Sequence, residues 1–351
     1  MTRRSLATES IPRRGSGHEL VTVVMPAKNE EQHIASAISS ILRQDYADLE
    51  VVVVDGGSTD RTASIVAEIG RADPRVTLLT NEDGRIPRSL NMGLAAAEGA
   101  WLVRMDAHST VPPGYVRQAV EHLRTGRWGG VGGRKDGYGE TPAGHAIAAV
   151  LGSRFGVGGS DYHHAVAPRV VDHVPFGAYP VELVREMGGW DERFPANEDF
   201  EFDYRLGLAG HRLLLDPTMR IRWRSRQSIG ELYAQYQRYG ASKVAVAMEH
   251  PRSLRPRHLL PPILVAGLAL AALAATRRPR PAVAALSPYL VALSGASWRI
   301  AKDLESRQER LLVPVAFVTM HVGWGLGFWR ALVRRAAAHV ARRQDEPRSV
   351  R

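Results

Sequence analysis

The stretch Val51–Thr62, VVVVDGGSTDRT, decides the fold class of this chain. Four consecutive β-branched residues are typical of a strand that is buried on both faces of a parallel sheet. The run ends at Asp55, two glycines form a turn, and the segment from Ser58 resembles the N-cap of a helix. The carboxylate of Asp55 therefore lies at the C-terminal edge of a buried strand, where open α/β sheets bind ligands. Two roles remain open for it: accepting hydrogen bonds from ligand N–H or O–H groups, or capping the next helix.

The alternation of strands and helices continues on both sides of this stretch. Apolar runs predict strands at Leu20–Pro26, Leu49–Asp55, Arg75–Thr80 and Ala100–Met105. Amphipathic spacing predicts helices between them, at Glu30–Arg43, Asp60–Arg71 and Arg88–Glu98. This order predicts an α/β fold with a mostly parallel, doubly wound sheet. Right-handed crossovers leave the strand ends on one rim, so we expect Asn29, Asp55 and Asp106 to face a shared crevice.

The pattern becomes irregular after about Tyr115. Gly126–Gly139 is rich in glycine, and Gly152–Pro168 is predicted to be a mobile loop. Order is predicted to return with Arg169–Phe176, and short strands are predicted at His211–Asp216 and Met219–Trp223. Helices are predicted near Pro180–Met187 and at Ser228–Met248.

Three apolar segments follow Pro251, and they predict membrane-associated helices. They are Leu259–Ala275, Pro281–Ser297 and Leu311–Trp329. A spanning helix needs about 20 apolar residues, so the first two are marginal and the third is long enough. The positive-inside rule favours a cytoplasmic location for both Arg277–Arg280 and the arginine-rich C-terminus, which leaves the number of crossings open. The alternative is a soluble helical tail that packs on the core.

Composition and charge narrow the functional classes. The 351 residues carry a net charge of +10 and contain no cysteine, which excludes disulfides, thiolate metal sites and a cysteine nucleophile. Arginines concentrate in the first fourteen residues and again after Trp329. No nucleic-acid motif accompanies these basic ends, but apolar segments do, so we expect a membrane partner and no nucleic acid. Residues 1–18 lack the apolar centre of a signal peptide and are predicted to be a disordered basic tail.

Two groups of polar residues near the first strands are candidates for binding a phosphate-containing ligand, one through a metal ion and the other through arginines. Asp106 and His108 follow the fourth strand two positions apart, so on extended backbone they point the same way. Together they can hold a divalent ion, and a mixed oxygen–nitrogen site suits Mn²⁺ better than Mg²⁺. Arg85 and Arg88 flank a basic turn at a helix start, where they can bind phosphate oxygens. The alternative for both groups is ordinary solvated surface.

Two further groups lie later in the chain. Asn197-Glu198-Asp199 enters a helix, where Asp199 can act as a general base if its loop folds over the crevice. Acids in a first helical turn also interact with the helix dipole, and this explanation is assigned to Glu201 and Asp203. Gln235, Arg238 and Tyr239 share one face of the long helix, placed to meet an acceptor or a leaving group, or to pack on the sheet. Asn29 and Glu30 follow the first predicted strand, where they either face the crevice or simply cap the next helix. Asn91 lies in the helix that follows the basic turn of Arg85 and Arg88.

Read in order, these segments resemble the family 2 glycosyltransferases of the GT-A (nucleotide-diphospho-sugar transferase) fold. The matching text is VVMPAKNEEQHI, VVVVDGGSTDRT, SLNMGLAAAEGAWLVRMDAHS, FGAYPVELVREMGGWDERFPANEDFEFDYRLGLAG and QYQRYG. The likeness covers about Leu20 to Ser242 and is greatest to membrane-associated exopolysaccharide enzymes of the succinoglycan type. The implied organisation is a GT-A domain at 19–250, C-terminal hydrophobic membrane helices at 251–335 and a basic tail at 336–351.

The resemblance implies an inverting transferase that uses a nucleotide-diphospho-sugar, usually UDP-linked, with Mn²⁺ or Mg²⁺. By position, the donor would be bound by Pro26, Ala27, Asn29, Glu30, Asp55, Arg85, Arg88, Asn91, Asp106, Gln235, Arg238 and Tyr239. Asp106 and His108 would hold the metal, and Asp199 would be the catalytic base. His108 replaces the second acid of the family's DxD motif, and Tyr239 replaces a tryptophan. The implied acceptor is a lipid-linked or other saccharide at the cytoplasmic side of the cell membrane, in exopolysaccharide biosynthesis.

Other activities remain as alternatives. A polyprenyl-phosphate glycosyltransferase uses the same chemistry on a simpler acceptor. A sugar nucleotidyltransferase is expected to show a GxGTR-like turn after the first strand, where this chain has PAKNEE. A dehydrogenase is excluded because no GxGxxG follows a predicted strand. A non-catalytic membrane scaffold is disfavoured by the presence of Asp55, Asp106 and Asp199.

Overall fold

The computed structural model describes residues 19–276 and 279–345. The predicted tail at 1–18 lies outside the described residues, as do 346–351. The chain divides into two compact units. The first extends to Lys135 and also includes Ala165–Glu192 and Asp199–Arg222. The second contains Asp136–His164, Arg193–Glu198 and the described residues from Trp223 onward.

The strands and helices alternate along the first part of the chain, and helices alone follow. The strands are β1 (Val21–Ala27), β2 (Leu49–Asp55), β3 (Val76–Thr80), β4 (Trp101–Arg104), β5 (Ser109–Thr110), β6 (Gly130–Tyr138), β7 (Arg169–Val171), β8 (Ala178–Pro180) and β9 (Leu213–Arg224). The helices are α1 (Ile34–Leu42), α2 (Thr62–Ala72), α3 (Ile86–Ala96), α4 (Tyr115–Arg124), α5 (Pro142–Leu151), α6 (Arg154–Val157), α7 (Val181–Glu186), α8 (Glu198–Leu208), α9 (Ile229–Glu249), α10 (Pro256–Ala275), α11 (Pro279–Ala301) and α12 (Arg307–Asp345).

All described strands belong to one mixed sheet. Its order is β3-β2-β1-β4-β8-β6-β9-β5, and β7 pairs with β9. The pairs β1–β2, β1–β4 and β2–β3 are parallel, whereas β8 pairs antiparallel with both β4 and β6. The predicted α/β class with strand–helix alternation is confirmed. The first hundred residues predict only the parallel half of the sheet, and the antiparallel strands come from later in the chain.

The parallel register brings the polar strand ends to one edge. Ala27 pairs with Asp55, and Val24 pairs with Arg104. The side chains of Val51 to Val54 are at most 3% exposed, as expected of a strand covered on both faces. Burying each such side chain contributes about 1.5–3 kcal/mol relative to leaving it in water. The buried strands therefore form a rigid base for the loops that follow them.

The later part of the chain differs from its prediction at three places. The glycine-rich stretch predicted to be irregular forms strand β6, and Gly133 allows this because a Cβ there would lie 2.2 Å from Met219 O. The two predicted strands at His211–Asp216 and Met219–Trp223 are one strand, β9. Part of the predicted loop Gly152–Pro168 is helical, in α6 and a 3₁₀ turn at Asp161–His163.

In the second unit, α12 packs against α5, α9 and α10. Glycines bring α9 and α12 close together: a Cβ on Gly240 would lie 2.1 Å from Trp324 O, and one on Gly327 would lie 2.2 Å from Gln237 O. We call this contact the glycine seam. α12 continues to Asp345, beyond the start of the predicted basic tail at 336.

Two described helices have the length and composition of membrane spans: Pro256–Ala274 in α10 and Arg307–Ala338 in α12. The apolar run predicted at Pro281–Ser297 lies in α11. Several large apolar side chains on α10 and α11 are exposed, among them Leu273 at 71%, Val291 at 72% and Trp298 at 72%.

Candidate active site

The loops that follow β1 and β2 are bonded to each other. Asn29 Oδ1 accepts a hydrogen bond from Thr59 N at 2.8 Å, and Asn29 N donates to Ser58 Oγ at 2.9 Å. Asn29 has a positive φ of 56°, a conformation that asparagine tolerates better than most residues. Gly56 N donates to Ala27 O at 2.8 Å. The segment from Pro26 to Asn29 is thus fixed against the turn after Asp55.

Asp55 is 4% exposed and its carboxylate stabilises its own turn. Its Oδ2 accepts hydrogen bonds from Gly57 N at 3.1 Å and Ser58 N at 3.0 Å, and Oδ1 accepts one from Ser58 Oγ at 2.5 Å. The carboxylate holds its own turn and does not cap α2, since this helix begins at Thr62 and its N-cap residue Arg61 makes no side-chain capping hydrogen bond. Donor binding by Asp55, Pro26, Ala27 and Asn29 stays a prediction.

Glu30 and His108 meet at the same edge. His108 Nδ1 lies 2.8 Å from Glu30 Oε1, and Glu30 N donates to Thr62 Oγ1 at 2.7 Å. With Nδ1–H donated to a carboxylate, the neutral imidazole carries its lone pair on Nε2, an arrangement common in metal-binding histidines. Glu30 therefore has a positioning contact with a predicted metal ligand.

Asp106 and His108 supply one carboxylate and one imidazole, with side chains 26% and 17% exposed. Within the described residues, no group of three or more His, Asp or Glu side chains could hold a metal by itself. A two-residue donor set fits an ion that shares its coordination with phosphate oxygens and water, which is how Mg²⁺ and Mn²⁺ are commonly bound. The pair is therefore compatible with a divalent ion that arrives with a diphosphate.

Arg104, at the end of β4, links the two predicted acidic site residues. Its Nη2 lies 3.7 Å from Asp106 Oδ1, and its Nη1 lies 3.4 Å from Asp199 Oδ2. Arg104 is 7% exposed. Two carboxylates that are distant in sequence therefore lie within ion-pair distance of the same buried guanidinium.

Asp199 lies in the first turn of α8, and its side chain is 30% exposed. Its Oδ1 accepts a hydrogen bond from Phe200 N at 2.7 Å, and its Oδ2 lies 3.9 Å from His173 Nε2. Burial raises the pKa of Asp199, but the positive charges of His173 and Arg104 outweigh it, so the pKa is lowered. Asp199 is therefore ionised at neutral pH, as a proton acceptor must be.

The basic turn after β3 is paired with acids. Arg85 and Arg88 lie 2.8 Å and 3.1 Å from Asp83 Oδ2, and Arg85 also lies 3.7 Å from Glu192. Hydrogen bonds from the main chain and side chain of Arg85, together with the charges of both arginines, lower the pKa of Asp83 to about 2. These side chains are about half exposed. Phosphate binding by them stays a prediction.

Asn91 bonds to the main chain of another element. Its Nδ2 donates to Trp190 O at 2.8 Å, and its Oδ1 accepts from Trp190 N at 2.9 Å. Both ends of the amide are used to hold the turn before Trp190. These bonds give Asn91 a structural role, and its contact with the donor stays a prediction.

Gln235, Arg238 and Tyr239 lie on α9 in the second unit. Gln235 is 4% exposed and its Nε2 donates to Tyr239 Oη at 3.1 Å, whereas Arg238 is exposed. Asn197, with a positive φ of 60°, donates from Nδ2 to Tyr239 O at 3.2 Å. Within the second unit, Asn197 is thus bound to this helix. Donor binding by the three α9 residues stays a prediction.

Sequence reasoning missed three residues of this region. The sequence-based prediction contains no role for Arg104 or His173, and it assigns Asp203 to the helix dipole. Asp203 is instead 1% exposed and accepts hydrogen bonds from three groups. The signals available were an arginine inside the apolar run WLVR and the i, i+4 spacing of Asp199 and Asp203, which places both on one helix face.

The sequence matches two family descriptions, Glycosyl transferase family 2 over residues 22–151 and Glycosyl transferase family group 2 over residues 101–298. The chain belongs to glycosyl transferase family 2, and it is a glycosyltransferase. This confirms the predicted family, enzyme class and GT-A fold.

Among individual relatives, Succinoglycan biosynthesis protein ExoA of Rhizobium meliloti (strain 1021) is 32% identical, over 89% of this chain and 94% of that protein. A second relative from Methanococcus voltae is 26% identical over 64% of this chain and 72% of its own length. Its name is dolichyl N-acetyl-alpha-D-glucosaminyl phosphate 3-beta-D-2,3-diacetamido-2,3-dideoxy-beta-D-glucuronosyltransferase.

A solved structure shares the fold. Mannosyltransferase PcManGT from Pyrobaculum calidifontis, in complex with GDP-Man and Mn²⁺, superposes with a TM-score of 0.64 at 23% identity. The match covers 91% of this chain and 89% of that protein. It therefore extends beyond the sheet to the C-terminal helices.

Proposed function

We propose that this protein is an inverting glycosyltransferase in extracellular or cell-surface polysaccharide synthesis. It moves a sugar from a nucleotide-diphospho-sugar, a UDP-sugar in our proposal, to a hydroxyl of a lipid-linked saccharide. Support for the pathway comes from the succinoglycan relative, which aligns over most of both chains. Support for a lipid-linked acceptor comes from the Methanococcus voltae relative, whose name describes one.

The observation that carries the proposal is the position of Arg104 between Asp106 and Asp199. Asp199 accepts the proton of the acceptor hydroxyl, and that oxygen attacks the anomeric carbon as the bond to the diphosphate breaks. A single displacement inverts the anomeric centre and needs no covalent sugar–enzyme intermediate. Arg104, 3.4 Å from Asp199 and 3.7 Å from Asp106, holds the two acids at a fixed separation.

Asp106 and His108 would hold a divalent ion, Mn²⁺ or Mg²⁺, with Glu30 orienting His108. When bound, such an ion neutralises charge that develops on the diphosphate. Support for this cofactor is the two-residue donor set of this chain and the Mn²⁺ in the complex of PcManGT. The nucleoside would be bound by Pro26, Ala27 and Asp55.

The C-terminal helices are proposed to attach the enzyme to the cytoplasmic face of the cell membrane. The exposed side chains of Leu273, Val291 and Trp298 are large and apolar, which favours contact with lipid over water. Replacing all three with Lys should reduce sedimentation with anionic phospholipid vesicles. Unchanged sedimentation of the triple variant would contradict this attachment.

The function is tested with detergent-solubilised full-length protein, Mn²⁺ and a panel of UDP-glucose, UDP-galactose, UDP-N-acetylglucosamine and GDP-mannose. Polyprenyl-diphosphate-linked saccharides and polyprenyl phosphate serve as alternative acceptors. We expect UDP release that depends on a lipid-linked saccharide and a product whose anomeric configuration, measured by NMR, is opposite to that of the donor. A retained configuration would exclude the inverting mechanism, and transfer only to polyprenyl phosphate would identify a lipid-carrier enzyme instead.

A further inference from the structure

His173 lies between two carboxylates of the same helix face. It belongs to the segment between β7 and β8, and its side chain is 12% exposed. Its Nδ1 lies 2.7 Å from Asp203 Oδ2, and its Nε2 lies 3.9 Å from Asp199 Oδ2. Asp199 and Asp203 are one helical turn apart on α8, so the imidazole bridges them from outside the helix.

Asp203 holds the inner side of the ring in place. Its side chain is 0% exposed, and besides His173 it accepts hydrogen bonds from Val174 N at 2.9 Å and Tyr179 Oη at 2.8 Å. A buried carboxylate with three donors from different parts of the chain has one stable orientation. The ring of Phe200 packs against His173 with centroids 5.9 Å apart. The imidazole therefore has little freedom to turn away from Asp199.

The geometry points to His173 as the positioning residue for the proposed base: held by Asp203, which Tyr179 fixes in turn, the imidazolium orients Asp199 and keeps it ionised. This inference rests on the proposed function, because it needs Asp199 to accept the acceptor's proton. An imidazolium donates from both nitrogens, so it serves Asp203 through Nδ1 and faces Asp199 through Nε2. A neutral imidazole would instead direct the lone pair of one ring nitrogen toward the carboxylate of Asp199 or Asp203.

The surrounding charges support the cationic form. Burial lowers the pKa of His173, but the charges of Asp199, Asp203 and Asp172 outweigh it, so the pKa is raised. Other groups near this pair include Arg104 on β4, Lys135 on β6 and Tyr179 on β8. Asp199 thus retains Arg104 and Lys135 as cationic neighbours when His173 is removed.

The test uses two amide variants that each imitate one ring nitrogen. His173→Asn keeps an N–H near the Nδ1 position for Asp203 but lacks Nε2 and the charge. We expect its thermal unfolding and UDP affinity to match the wild type, while kcat falls about tenfold to a hundredfold. The acidic limb of its kcat/KM profile should move to higher pH, because loss of the cation raises the pKa of Asp199. His173→Gln, which keeps a donor toward Asp199, should recover part of kcat.

A second variant covers the case in which His173 variants do not fold. Asp203→Asn removes one of the charges that keep His173 protonated, so the imidazolium is lost at lower pH. In the pH profile of kcat, the basic limb should therefore move to lower pH, while the acidic limb stays in place. Basic and acidic limbs both at their wild-type positions would overturn the inference.

The assay is UDP or GDP release with whichever donor of the panel the wild type turns over. His122→Gln is the matched control, because His122 Nε2 also lies 2.8 Å from a carboxylate, that of Asp216, outside the site. It should leave kcat and both limbs unchanged. Full activity of Asp199→Asn would overturn the proposed base itself. Loss of activity in Asp199→Asn together with wild-type kcat and pH profile in His173→Asn would overturn only the role of His173.

Discussion

Asp55 and Asp199 both belong to the first unit, but their carboxylates have different neighbours. Asp55 accepts hydrogen bonds from neutral donors of its own turn, Gly57 and Ser58. Asp199 lies near the charged groups of Arg104 and His173, which come from other elements. The first arrangement stabilises a loop, and the second adjusts a proton affinity. An acid at a strand edge is therefore not by itself a reactive group, since its neighbours decide what it can do.

The largest expected effect is on transfer by Asp199→Asn. Removal of a general base should lower kcat by about 10²- to 10⁴-fold, and UDP affinity measured by calorimetry should stay unchanged. Asp48→Asn is the control, an exposed Asp of the same unit that should leave kcat unchanged. If Asp199→Asn lost UDP binding as well, Asp199 would have a structural role like that of Asp55.

The second prediction concerns Asp106→Ala. Loss of one of two protein ligands should weaken Mn²⁺-dependent UDP binding by about tenfold or more, and should leave binding without the metal unaffected. Calorimetric titration of UDP with Mn²⁺ and with a chelator separates the two cases. Equal weakening under both conditions would assign Asp106 to holding Arg104 rather than a metal.

A smaller effect is expected at the loop edge. Asn29→Ala removes the hydrogen bond that Asn29 Oδ1 accepts from Thr59 N, and alanine tolerates a φ of 56° less well than asparagine, so the variant should lose about 1–2 kcal/mol of stability. Asn29→Gly relieves the φ cost and should be less destabilising than Ala. Thermal unfolding of both variants measures the difference. An Ala variant as stable as the wild type would show that the loops are held by other contacts.

The smallest effect is expected for Asp83→Asn. It removes the carboxylate that pairs with Arg85 and Arg88 and should raise UDP affinity slightly, more at low than at high salt. Affinity measured at two salt concentrations tests this. A decrease in affinity would indicate that Asp83 orients the arginines for phosphate.

The first hundred residues predict their structure well because their hydrophobic periodicity and turn signals are local. The sequence alone shows the apolar run Val51–Val54, the Asp55 that ends it and the turn that follows. Strand β2 begins and ends at the predicted residues. The helix predicted to begin at Glu30 begins at Ile34, because Glu30 to His33 form a turn bonded to the next loop.

The pairing around Asp199 could not be predicted in the same way. His173 reaches Asp199 and Asp203 only because the segment before β8 passes beside α8, a contact that no sequence period encodes. β6 was missed because glycines disfavour strands in general, whereas Gly133 is needed where Met219 O comes close. Burial of Arg104 likewise depends on partners far away in the chain.

The glycine seam between α9 and α12 limits how this enzyme can be shortened. The main-chain oxygens of Trp324 and Gln237 occupy the space that a side chain at Gly240 or Gly327 would need, so the two helix backbones are in direct contact. A version that ends after α9 would leave this surface bare and is expected to aggregate. Biochemical preparations should therefore keep the C-terminal helices and use detergent or lipid, and substitutions that enlarge Gly240 or Gly327 should be avoided in engineering.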